Sequence, residues 1–241
     1  MPIGFYEQAC EPWAVDGTPA DFGAELLPNR LDRIAPAMEQ AFIRFSILEN
    51  AGIKRVINGL FTFSPDGNPL VRPVSGLRNY WAACAETVGF SQGGGVGLTL
   101  AEWMVEGAAS RDIFALDVAR FGPWITPGYT RRKVIEYHQR RFAVSCPNEE
   151  LLATRPCRTT PMHGHWQAAN AVFGHVYGME TVNYFAPAGS PLREIPSFRR
   201  SDGFASVGAE CRAVREGVGI GVFHILQVHG PWPGGGGLAG L

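Results

Sequence analysis

The stretch YWAACAETVGFSQGGGVGLTLAEWMVE, residues 80–106, decides how this chain is read. Its opening run, Tyr80, Trp81, Ala82, Ala83, Cys84 and Ala85, is short and apolar and predicts a buried strand. Thr87, Gly89, Ser91 and the triplet Gly93, Gly94, Gly95 follow, and a helical pattern then begins. Val96, Leu100 and Trp103 recur at helical spacing, with Met104 beside them. Gly93, Gly97 and Ala101 make a second stripe, of small residues four apart, that would let the helix approach a neighbouring backbone or a flat ligand. Strand, glycine turn and helix start, in that order, offer free backbone N–H groups to an anion or an electron-rich ring edge. Packing alone also accounts for glycine at such a place. The dinucleotide fingerprint G-x-G-x-x-G is incomplete: its third glycine position holds Leu100 counted from Gly95, and Val222 counted from Gly217.

Upstream, residues 55–63 alternate and begin β-branched, which predicts a strand. Ser64, Pro65, Asp66, Gly67, Asn68 and Pro69 make a turn, because proline fixes one corner and glycine releases the chain. Residues 70–74 read as a second strand, pushed to an edge by Pro73, so that three strands form a meander into the helix. Leu31, Ile34, Met38, Phe42, Phe45 and Leu48 recur at three- and four-residue steps and predict a helix packed on that sheet. Pro28 suits its start, Pro36 should kink or delay it, and Gly52 can stop it.

Downstream, residues 130–142 read as a charged helix with Val134, Tyr137 and Arg141 on one line. Its basic residues Arg131, Arg132, Lys133, Arg140 and Arg141 read as a solvated face in preference to a phosphate patch. Residues 147–161 are loop-rich. A last helix starts at Phe204, capped by Ser201 or Asp202, with Phe204, Val207, Cys211, Val214 and Val218 inward. Beyond residue 223 the sequence runs into proline and four consecutive glycines, and residues 224–241 are expected to be a disordered tail, such as a shifted reading frame would produce.

The 241 residues carry a net charge of −1, which gives no electrostatic case for nucleic acid or an acidic membrane surface. Five cysteines without C-x-x-C spacing point to reduced thiols rather than a disulfide framework or a zinc site. Before Arg30 no residue is basic, so no ordinary leader is expected at Met1, and no apolar run approaches membrane-spanning length. His163 and His165 would share a face only if extended, with no carboxylate or thiol nearby in sequence, so no metal is expected. Trp13, Trp81, Trp103, Trp124 and Trp166 read as core or interface anchors; an aromatic cage for a methylated amine is the alternative. Serine nucleophile elbow, P-loop and zinc signatures are all missing.

Residues 80–107, together with RVINGLFTFSPDGNPLVRPVSGLRNYW at 55–81, resemble the flavin-contacting segment of the dimethylglycine and sarcosine dehydrogenase family. The resemblance runs from about residue 5 to about residue 223. It implies an α+β fold: the C-terminal part of an FAD-linked amine oxidoreductase domain (residues 1–115), with antiparallel strands plus a flavin-contacting helix. A small central linker domain follows (116–173), then the start of an aminomethyltransferase-type folate-binding domain (174–223).

The resemblance also implies a site. Ala85, Glu86, Thr87, Val88, Gly89, Phe90 and Ser91 would meet the flavin ring and ribityl chain. Asn58, Gly59, Phe61, Thr62, Pro65 and Asp66 would line the substrate side. No residue is assigned as catalytic acid or base. Two departures matter: the family has glycine and an aromatic or apolar residue at Ala85 and Glu86, and glycine-proline at Gly59 and Leu60. A carboxylate at position 86 should lower the flavin potential. The implied activity is FAD-dependent oxidation at the CH–NH group of an N-methyl amine such as dimethylglycine or sarcosine. An electron acceptor and tetrahydrofolate, as one-carbon acceptor, are the implied partners; nucleic acid, membrane and metal are not. The expected compartment is the bacterial cytoplasm, or the mitochondrial matrix in a eukaryote. The chain would cover only the middle of such a protein, without its dinucleotide-binding unit, so it is expected not to hold FAD by itself. The alternatives are an inactive truncated gene product and a stand-alone interaction module.

Overall fold

In the computed structural model, which describes Gly4, Glu7 and residues 10–85 and 87–219, helices and two separate antiparallel hairpins give an α+β arrangement. Strand β1 (Leu70–Pro73) pairs with β2 (Trp81–Cys84), placing Val71 opposite Ala83 and Pro73 opposite Trp81. The turn before β1 follows its residue chemistry: Gly67 takes φ 71°, and its N–H donates to the Ser64 carbonyl at 3.1 Å.

Residues 55–63 form no strand, so the meander reduces to a hairpin. A strand needs a neighbour to pair its backbone groups, and an alternating pattern does not supply one. Nor is the 80–85 run buried. Trp81 and Ala82 are half-buried, Ala83 and Cys84 are exposed, and only Ala85 is enclosed, because a two-stranded sheet leaves a face open.

Helix α1 (Leu31–Arg44) runs through Pro36 and ends short of Gly52, giving way to a 3₁₀ turn at Ser46–Asn50. None of its residues is buried, and it lies against that turn rather than on a sheet. Helix α2 (Gly89–Glu106) starts earlier than the apolar pattern suggests, so the glycine run lies inside it. Burying Val96 and Leu100 against Val71, at about 1.5–3 kcal/mol each, helps offset about 1 kcal/mol for each internal glycine. Trp81 and Leu116 close this cluster, and Gly107 ends the helix at φ 80°. The small stripe is corrected too: Gly97 and Ala101 are exposed, and a Cβ on Gly94, Gly95 or Gly97 would meet nothing within 4 Å.

The following segment is held more by charge than by apolar core. Helix α3 (Pro127–Arg140) is capped by Thr126, whose hydroxyl accepts from the Tyr129 N–H at 3.1 Å. Lys133 is buried, not solvated; its ammonium donates to Glu136 at 3.0 Å and to the Leu151 carbonyl at 3.3 Å. Glu136 in turn accepts from the N–H groups of Leu152 and Ala153 at 2.7 and 2.8 Å. Arg140 pairs with Glu149, so of the five basic residues on this helix only Arg131 and Arg132 are exposed.

Helix α4 (His163–Ala168) leads into a hairpin that carried no expectation, β3 (Ala171–Val176) with β4 (Met179–Phe185). Tyr177 and Gly178 join the strands at φ 46° and 78°, a two-residue turn with both central φ positive. The position 173/174, expected as a domain boundary, falls inside β3. Arg155 forks onto Glu180 at 2.9 and 2.6 Å and onto the Phe173 carbonyl at 2.9 Å, tying the loop to both strands. Helix α5 (Phe204–Glu216) starts from Gly203 as its cap, not Ser201 or Asp202; the Ser201 hydroxyl accepts from the Gly203 N–H instead. Its expected inward stripe is exposed, at 57% for Phe204 and 61% for Val214, while Glu210 bonds β4, accepting from the Phe185 N–H at 2.8 Å. The expected tail, 224–241, lies outside the described residues.

The turn before β1 and the β3–β4 turn dock on the same central segment. A Cβ on Gly67 would stand 2.0 Å from the Tyr137 ring of α3. One on Gly178 would stand 2.7 Å from Trp124, while Tyr177 packs edge-on against Phe114 at 5.0 Å.

Candidate cofactor and substrate site

The loop between β2 and α2 turns on Ala85, which is buried at φ 58°. The left-handed region costs a residue with a Cβ about 1–2 kcal/mol, which gives a physical reason for the glycine that the resemblance expects there. The Thr87 N–H donates back to the Ala85 carbonyl at 3.1 Å. Val88 caps α2, its carbonyl accepting from the N–H groups of Ser91 and Gln92 at 2.9 and 3.1 Å. Gly89 and Phe90 open the helix, where amides lack intrahelical acceptors, and the Phe90 ring is fully exposed. Glu86 lies outside the described residues. Across the chain, the Thr87 hydroxyl accepts from Arg141 Nη2 at 3.3 Å.

The expected substrate-side residues divide. Asn58 turns towards residues 26–28: its Nδ2 donates to the Pro28 carbonyl at 2.6 Å, and its carbonyl accepts from the Leu27 N–H at 2.8 Å. Gly59 lies beside Leu26, and Phe61 and Thr62 are exposed. Pro65 and Asp66 belong to the turn on α3. Asp66 is committed to a partner that sequence reasoning missed, Arg120, whose side chain is wholly buried. Arg120 Nε donates to Asp66 Oδ2 at 2.7 Å and its Nη2 to Oδ1 at 2.9 Å. Its remaining donors reach the carbonyls of Asp117 and Asn68 at 2.9 and 3.0 Å. Fifty-four residues separate the pair, and nothing in the local pattern links them. Turn 64–69 and loop 85–91 thus meet the C-terminal end of α3, through Tyr137 and its cap Arg141.

A Cβ on Gly94, Gly95 or Gly97 meets no neighbour, and the first amides of α2 lack intrahelical acceptors. Among the described residues Trp81 packs with Trp103 at 6.0 Å and Trp124 with Tyr129 at 5.2 Å. His163 stacks on Phe173 at 4.5 Å within short α4. Among the described residues no three His, Cys, Asp or Glu side chains form a metal-ligand set, and no helix is long and apolar enough to cross a membrane. All five thiols are free.

Residues 106–160 match the family model of the FAD dependent oxidoreductase central domain. Mouse (Mus musculus) mitochondrial dimethylglycine dehydrogenase is 36% identical over 208 residues, 86% of this chain and 24% of that protein. The 4-methylaminobutanoate oxidase (formaldehyde-forming) of Paenarthrobacter nicotinovorans is 33% identical over 239 residues, 95% of this chain and 28% of that one. Human (Homo sapiens) mitochondrial sarcosine dehydrogenase is 32% identical over 161 residues, 65% of this chain and 18% of that one. The chain spans about a quarter of the length of the first of these relatives. The chain belongs to the dimethylglycine and sarcosine dehydrogenase family: most of its length is homologous to a segment of those proteins, and residues 106–160 match an FAD dependent oxidoreductase central domain.

Proposed function

We propose that this chain supplies the ring end of an FAD site in an enzyme that oxidises an N-methyl amine of the dimethylglycine or sarcosine class. The observation that carries this reading is the unit at residues 80–106: a strand, a tight loop and a helix start open to solvent, in a chain homologous to amine dehydrogenases. Backbone around Ala85, Glu86, Thr87, Val88, Gly89, Phe90 and Ser91 would border the ring, whose chemistry is acceptance of a hydride from the amine. Free amides at the start of α2 suit its polar edge, and the glycine face gives it room. Asn58, Gly59, Phe61, Thr62, Pro65 and Asp66 would border the amine, with Asp66 acting through the turn it shapes. The one-carbon unit would pass to tetrahydrofolate on a domain that begins near residue 174, and electrons to a separate acceptor. A second reading, a non-catalytic interaction module, draws on the exposed apolar residues of α1 and α5.

The diphosphate end of FAD requires a dinucleotide-binding unit, whose glycine fingerprint these residues lack. Half a site still bears the cost of immobilising the cofactor. The purified chain with added FAD is therefore expected to stay colourless and inactive. Fusing a dinucleotide-binding segment upstream, taken from a homologous dehydrogenase, should yield a yellow protein that reduces dye when given dimethylglycine or sarcosine. A fused protein without flavin absorbance defeats the dehydrogenase reading and leaves the interaction module.

A further inference from the structure

We infer that Arg141 is a positioning residue that fixes the candidate cofactor loop to the central segment; its cofactor role rests on the function proposed above. Arg141 is the C-terminal cap of α3, and its guanidinium forks. Nη1 donates to the Tyr137 hydroxyl at 2.9 Å and Nη2 to the Thr87 hydroxyl at 3.3 Å. Tyr137 stands one helical turn earlier, below the guanidinium at 5.7 Å from its ring centroid, and its ring fills the space beside Gly67. The Tyr137–Arg141 pair therefore touches both turn 64–69 and loop 85–91, the two segments that leave the β1–β2 hairpin beside its Leu70–Cys84 pair.

Within the loop the described backbone bonds are local, from Thr87 to Ala85 and from Ser91 and Gln92 to Val88. The bond to Arg141 spans 54 residues and anchors the loop from outside itself. The planar fork sets both hydroxyls at fixed separation, which a lysine ammonium cannot do.

The test is amide hydrogen exchange of residues 85–92 in the full chain without cofactor, for the parent, Arg141→Leu, Thr87→Val and Thr87→Ser. Losing one hydrogen bond should speed exchange about threefold to tenfold in Arg141→Leu and Thr87→Val. Thr87→Ser keeps the hydroxyl and should keep parental protection. The double variant Arg141→Leu/Thr87→Val should exchange no faster than Arg141→Leu, because that change already removes the bond to Thr87. Unchanged exchange in Thr87→Val, or equal loss in Thr87→Ser, overturns the inference. The fused, flavin-containing protein supplies the second readout: Arg141→Leu should alter the flavin absorbance and circular dichroism bands. A yellow parent with an identical variant spectrum overturns the cofactor role alone, whereas a colourless parent overturns it together with the proposed function.

Discussion

Asp66→Asn separates a structural carboxylate from a substrate-binding one. The change keeps the shape of the side chain but removes the negative charge facing Arg120. Two of the four hydrogen bonds of that buried guanidinium end on Asp66, and the other two end on carbonyls, which carry no charge. Removing one partner of a buried ion pair costs about 3–5 kcal/mol. Asp66 retains a third of its side-chain exposure, so water screens part of the loss and about 2–4 kcal/mol is expected. The turn itself should persist, since the amide oxygen of asparagine can still accept from the Ser64 hydroxyl and the Asn68 N–H, now at 3.0 and 3.1 Å from Asp66 Oδ1. Equilibrium urea unfolding followed by tryptophan fluorescence measures the difference. In Asp66→Asn/Arg120→Met the unpaired charge is gone, and much of the stability should return. A single variant within about 0.5 kcal/mol of the parent, the range of an ordinary surface change, would refute the structural role. The carboxylate would then be free for a ligand.

Two further outcomes follow from the geometry. Gly97→Ala should raise stability by about 0.5–1 kcal/mol, because the site is open and alanine favours the helix; a lowered urea midpoint would show that the small stripe packs against something. The Tyr184 phenol is pushed up to about 12, first by burial and then by its bond to Glu194 at 2.9 Å. With the folded value above the unfolded one near 10, its contribution is complete below about pH 10 and fades as pH rises towards 12. Tyrosinate absorbance should show a late-titrating phenol that is missing in Tyr184→Phe.

The sequence by itself determined the elements whose cause is local. Proline and glycine at fixed offsets made turn 64–69, apolar spacing made α2 and α3, and the quoted stretch revealed the family. Tyr177 and Gly178 also carried a local signal, a glycine at the second position of a two-residue turn between alternating strands, though its weight shows only once the strands are paired. Tertiary structure decided what each face meets. Residues 55–63 alternate like a strand but find no neighbour, and the stripe on α5 has helical spacing but little to bury it. Lys133 looked solvated because Leu151, whose carbonyl holds it together with the helix neighbour Glu136, comes close only when the loop folds back. The same holds for Arg120 with Asp66 and Arg141 with Thr87, each 54 residues apart. Periodicity records which side of an element is apolar; it carries no information on which distant charge will pair, because that depends on chain closure and not on spacing.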